Sequence, residues 1–159
     1  MKNTILSFLA VLVISGASIH AQQKLPELNQ KVIDYVSTVI GQQVDRGECW
    51  DLANQALTRI GAKWDREYVY GKLLNPKKDK ILPGDIIQFK NVNVKYRAGN
   101  MITTETMSHH TAIVYRVISK DVFELAHQNT GFSGRTVGLS NLDLSTVQTG
   151  KMWFYRPTR

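Results

Sequence analysis

A single thiol and a few histidines hold most of the reactive chemistry in this chain. Cys49 is its one cysteine, and the four histidines are His20, His109, His110 and His127. A thiol attacks as the thiolate, and an ordinary thiol pKa of about 8.5 leaves little thiolate at neutral pH. Two devices help. One is a helix N-terminus, whose unpaired N–H groups favour negative charge. The other is an imidazole that takes the proton. The chemistry this suggests is attack on a carbonyl, which also needs a group to orient the base and donors for the oxyanion.

The elements around these residues are legible from periodicity. Cys49, Leu52, Ala53, Ala56, Leu57 and Ile60 share one helical face, which predicts a helix from about Gly47 to Ile60. Gly61 suits its C-terminal cap and Asp45 is the candidate N-cap. Cys49 then lies in the first turn on the inward face, where the helix end should favour its thiolate. Leu28, Val32, Tyr35, Val36, Val39 and Ile40 mark an earlier amphipathic helix that stops at Gly41.

The rest reads as strands. Pro83-Gly84-Asp85 is a turn that launches Ile86 to Phe89, and Val92, Val94 and Tyr96 alternate as a second strand or its continuation. Arg97 to Met107 reads as an exposed loop with Gly99-Asn100 at its tip. His110 to Ile118 is rich in β-formers, Ser119-Lys120-Asp121 is a tight connection, and Val122 to Gln128 is the partner strand. Thr136 to Leu139 is a possible strand and Lys151 to Arg156 the last. Helices followed by strands predict an α+β domain, with helices packed on an antiparallel sheet.

On that hairpin His110 stands ten residues before Lys120 and His127 seven after it, so both lie toward the same end. Asn129 is closer still to alignment. Either could orient a base histidine through its second ring nitrogen. Adjacent strand residues point to opposite faces, so only one of His109 and His110 can face Cys49. The same divergence argues against a metal held by His109, His110 and His127, and no metal or cofactor is expected. Gln43, six residues before Cys49, is a candidate oxyanion donor beside the Cys49 N–H.

Composition sets the outer limits. The chain has 159 residues, 43% hydrophobic and 21% charged, as a single globular domain would. One cysteine excludes an internal disulfide and a cysteine-based zinc cluster. The formal net charge is +7, but the basic residues are scattered apart from Lys77, Lys78 and Lys80, with no basic-aromatic strip for nucleic acid. Met1 to Ala21 reads as a secretory signal peptide: Lys2, an apolar run from Ile5 to Ile14 broken by Ser7, then small residues before a cut after Ala21. The run is too short to span a bilayer comfortably. The expectation is one exported domain over 22–159, secreted or periplasmic, monomeric and without stable membrane insertion.

Gly47-Glu48-Cys49-Trp50-Asp51-Leu52-Ala53 resembles the nucleophile segment of papain-like cysteine peptidases, which carry Gly-x-Cys-Trp at a helix start and a glutamine six residues earlier. Pro83 to Phe89, His110-Thr111-Ala112-Ile113-Val114 and Phe123 to Asn129 are similar to the "PGD" strand, the His-led strand and the following strand of the CHAP and NlpC-type cell-wall hydrolases. A closer likeness is to a papain-like domain of some fungal actin-patch proteins. The resemblance implies Cys49 as nucleophile and His110 as base. It further implies His127 or Asn129 as the orienting residue, and Gln43 with the Cys49 N–H at the oxyanion. It points to hydrolysis of an amide bond, with peptide or peptidoglycan as substrate. The alternatives are a catalytically silent papain-like module that binds peptide or glycan, and an effector acting on a partner protein.

Overall fold

The computed structural model describes residues 24–159; the signal-peptide reading of Met1 to Ala21 lies outside the described residues. Two helices, α1 (Glu27–Val39) and α2 (Cys49–Arg59), precede six strands: β1 (Lys72–Leu74), β2 (Ile86–Ala98), β3 (Met101–Ser119), β4 (Val122–His127), β5 (Gly138–Asp143) and β6 (Val147–Arg156). The strands form one sheet in the order β1-β6-β2-β3-β4-β5, with every neighbouring pair antiparallel. This is the expected α+β arrangement.

The period of two along each strand divides the core between the faces of the sheet. Ile86, Ile113, Ala126 and Tyr155 meet Val32 and Val36 of α1 and Leu52, Ala56 and Leu57 of α2. Ile87, Phe89, Ala112, Val114, Phe123, Leu125 and Phe154 fill the other face, packed with Leu74, Ile81 and Leu142. Each large apolar side chain removed from water contributes about 1.5–3 kcal/mol.

The Pro-Gly-Asp turn is a structural lock. Gly84 has φ +84°, and a Cβ there would collide with the Asn29 backbone of α1. Buried Asn29 donates from Nδ2 to Pro83 O and to Asp85 Oδ1, both at 2.8 Å. Asp85, fully buried, also takes a two-pronged ion pair from Arg156 at the end of β6, at 2.9 and 2.7 Å.

Several boundaries differ from the sequence reading. Arg97 to Met107 is not a loop: β2 and β3 run on as a long hairpin arm turned by Gly99-Asn100, paired from Ala98↔Met101 inward. Its Thr-rich outer half is largely exposed on both faces, so it lacks the apolar alternation that reveals a strand. Asp45 does not cap α2; it has φ +52°, and Glu48 precedes the first helical residue. The final strand begins at Val147 and the strand after the 128–137 loop at Gly138. Among the described residues no helix is long and apolar enough to cross a membrane.

Candidate active site

Cys49 opens α2, and the turn that presents it is held from two directions. Within the turn, buried Asp51 accepts the backbone N–H groups of Arg46 (3.1 Å) and Glu48 (3.0 Å) and the Arg46 guanidinium (2.6 Å). This satisfies donors that a helix start would otherwise leave unpaired. From the sheet, fully buried Gln128 just beyond β4 accepts from Val44 N at 3.1 Å. Its amide donates to Val44 O (2.9 Å) and Glu48 O (2.8 Å). Gly47 has φ +84° with Arg135 packed where a side chain would stand.

Cys49 is half-buried, with Sγ 4.0 Å from His109 O. Burial pushes its thiol above the ordinary pKa, and the Glu48 charge adds to this. The backbone N–H groups of Thr111, Trp50 and Cys49 itself pull the other way without winning. The helix start therefore supplies the expected donors, but desolvation outweighs them and the resting thiol stays protonated.

His110 and His127 come together. His110 Nε2 and His127 Nδ1 are 2.9 Å apart, and His127 Nε2 is 2.8 Å from Ser140 Oγ on β5. Burial lowers the His110 pKa to about 4. Burial and then the proximity of His110 lower that of His127 to about 3. Both rings are neutral at pH 7. If Nδ1 of His110 is to accept a proton, Nε2 must carry the hydrogen and donate to His127 Nδ1. His127 then carries its own proton on Nε2 and donates to Ser140. One tautomer pattern satisfies the row and leaves His110 Nδ1 as a base.

Cys49, His110, His127, His109 and Asn129 line one cavity of about 530 Å³, together with Glu105–Ser108 of the hairpin arm and Thr130–Phe132. Phe132 lies against the His127 ring with centroids 5.4 Å apart. Among the described residues no hydrogen bond joins Cys49 Sγ to the His110 ring. His109 takes the face of β3 that Ile113 shares with the helices, exposed, its ring edge-on to Tyr68 at 4.4 Å. His110 lies on the opposite face with Phe89 and Ala112, so the strand's alternation does not by itself turn His110 toward α2. Asn129 does not hold His110; it has φ +60° and donates to Glu48 Oε2 at 2.7 Å. Gln43 is exposed, donates to Asp45 O at 3.1 Å and borders a separate depression with Tyr35 and Thr38, so the fold does not bring it to the cavity. No group of three or more His, Cys, Asp or Glu among the described residues is arranged to hold a metal ion.

Ser140, Gln128 and Asp51 have structural parts here that sequence reasoning did not assign. Gln128 carried a usable signal, since it alternates with His127 on a strand and must face the helices. Ser140 carried none.

The model of one protein family, the AIM3/BBC1 cysteine proteinase-fold domain, matches residues 22–159. The chain belongs to this family. As a cysteine proteinase-fold domain it is papain-like, a helix led by cysteine on an antiparallel sheet that carries histidine. Two solved structures are similar in fold. The crystal structure of Ly7917 is 14% identical with a TM-score of 0.51, over 80% of this chain and 62% of that one. The crystal structure of Ly7917 with the hydrolyzing product of MDP is 14% identical with a TM-score of 0.52, over 81% and 62%. The chain thus spans less than two thirds of the Ly7917 chain. A comparison with curated proteins returns no match.

Proposed function

We propose that this chain is an exported cysteine hydrolase that cleaves an amide bond in peptidoglycan peptide. Cys49 is the nucleophile, His110 the general base and His127 the residue that orients it. The observation that carries the reading is the 2.9 Å bond between His110 Nε2 and His127 Nδ1, in the cavity that Cys49 also lines. Export rests on the Met1 to Ala21 pattern. The substrate class rests on the likeness to CHAP and NlpC-type enzymes, and the similar fold of Ly7917, crystallised with the hydrolyzing product of MDP, supports it.

With a raised thiol and a lowered imidazole, proton transfer from Sγ to His110 Nδ1 is uphill in the resting site. It must accompany carbon–sulfur bond formation, so His110 acts as a general base in the transition state and not by holding a preformed ion pair. The imidazolium keeps its Nε2–H bond to neutral His127 and then returns the proton to the leaving amine. Water hydrolyses the thioester by the same route in reverse. The Cys49 N–H at the helix start is the available oxyanion donor.

A second reading is a catalytically silent module that binds peptide or glycan. The raised thiol and the missing Sγ–imidazole bond favour it. The two separate on the iodoacetamide alkylation rate of Cys49 between pH 5 and 7, in wild type and His110→Ala, beside amine release from peptidoglycan with Cys49→Ala as control. A hydrolase loses at least about tenfold in alkylation without the imidazole and releases amines only with Cys49 present. A silent module alkylates equally in both proteins and releases nothing.

A further inference from the structure

The outer end of the long hairpin serves neither the core nor the site chemistry, yet it carries apolar side chains into solvent. β6 leaves β2 at Val94, and β4 joins β3 only at Ile113. Beyond the Val94–Glu105 pair the arm is therefore a two-stranded ribbon among the described residues. Such a ribbon is marginal in water by itself. At its end Met101 and Ile102 are 70% and 59% exposed, and Tyr96, paired with Thr103, is exposed beside them. Single apolar residues scattered on a surface mean little, but two in succession at a projecting tip uncover contiguous apolar area. The strand rise puts Ala98 about 13 Å beyond Val94, the last buried side chain described on β2.

The charge around this tip has one sign. Lys95 and Arg97 are exposed on β2, Lys95 opposite Thr104 and Arg97 opposite Ile102. Between Lys90 and His109 the sequence holds one carboxylate, Glu105, and it accepts the Tyr96 hydroxyl at 2.6 Å. The whole chain carries +7. A protein partner needs a broad complementary surface, which a ribbon tip does not offer. An apolar point inside a basic collar suits the headgroup region of a bilayer, where the tip meets acyl chains and the cations meet phosphates. We propose that residues 95–104 dock this chain on an anionic phospholipid surface. The docking is reversible interfacial insertion and not a span. Interfacial segments enter to about 5–10 Å, less than the reach of the ribbon, so Met101 and Ile102 are buried while the cavity stays in water. Glu105–His109 border that cavity farther along the same strand, so the docked chain holds Cys49 just above the headgroups. The docking does not rest on the hydrolase reading.

The test uses the whole chain with Cys49→Ala and one new thiol that carries the environment-sensitive fluorophore NBD. The thiol is Ile102→Cys on the tip or Ile118→Cys, exposed at the other end of β3. Vesicles are phosphatidylcholine alone or an equal mixture with phosphatidylglycerol. On the mixed vesicles the label at position 102 should shift to the blue and be quenched by lipids with a nitroxide near the headgroup, while the label at 118 does neither. Each label reports its own surroundings, so lipid binding by the apolar run before Ala21 does not mimic this result. Lys95→Glu with Arg97→Glu should lower the vesicle partition coefficient read at position 102 at least about tenfold, with thermal unfolding unchanged because both side chains are exposed. An unshifted label at 102 on the mixed vesicles overturns the proposal. So does an equal shift on phosphatidylcholine alone, which would deny the role of the basic collar. A shift without lipid that grows with protein concentration also overturns it and would assign the tip to a second copy of the chain.

Discussion

Neutrality of the two buried imidazoles couples the site to pH. An unfolded histidine titrates near pH 6.5, whereas folded His110 and His127 titrate at about 4 and about 3. Because the folded pKa values are the lower ones, the unfolded chain binds more protons below about pH 6.5. Stability is therefore intact above that pH and is lost as pH falls toward the folded values. A shift of this size in one group is worth on the order of 3 kcal/mol, and the two rings are coupled, so their contributions do not simply add. Thermal unfolding should show Tm falling between pH 6.5 and 4, and His127→Gln should flatten that slope. The same direction sets the activity profile: hydrolysis by His110 should persist well below pH 6.5 and decline only near pH 4. An acid limb near 6.5 in kcat/KM would contradict a buried neutral base.

At the level of elements, Cys49 is placed by what holds the 44–48 turn. Gln128 satisfies Val44 N, Val44 O and Glu48 O from within the core. Gln128→Ala leaves those groups unsatisfied at about 1–3 kcal/mol each before water relaxes the site. Denaturant unfolding should show a loss of about 2–4 kcal/mol, and amine release should fall while the His110–His127 pair stays intact by NMR. Gly84→Ala probes the α1 contact through packing and backbone strain together. Its Cβ meets the Asn29 backbone and the φ is +84°, so the substitution should cost at least about 2 kcal/mol in the same assay.

Across the whole molecule, the ion pair of Asp85 and Arg156 ties the start of β2 to the end of β6 near the chain terminus. Asp85 is fully buried and Arg156 partly so. Removing the carboxylate alone strands a cation, and Asp85→Ala should destabilise by about 3–5 kcal/mol. The hairpin arm should behave in the opposite way. Lys95 and Thr104 are opposite each other, and Met101 and Ile102 beyond them are largely exposed. Replacing residues 96–103 with Asn-Gly should therefore leave Tm within a few degrees, since little apolar surface is uncovered. A large loss would mean that the arm packs against something more than its own hairpin.

The sequence determined the helices, the paired strands and the Pro-Gly-Asp turn, because each announces itself through local periodicity or backbone chemistry. Leu52, Ala53, Ala56 and Leu57 mark a helix face wherever the helix packs, and Gly84 marks a positive φ wherever the turn points. Sequence also singled out Cys49, His110 and His127. Tertiary structure decided how they relate. It put Nε2 of His110 on His127 and turned Asn129 to Glu48, a choice that hairpin spacing left open because register depends on irregularities between β3 and β4. It left Gln43 outside the cavity, since six residues of spacing do not fix the path of a turn. It revealed Arg97 to Met107 as strand, where solvent on both faces had erased the alternating pattern. Most consequentially, it set the charge states. A helix start argues for a thiolate, but burial is a property of the assembled fold, and there the cost of desolvation exceeds the pull of a few backbone N–H groups.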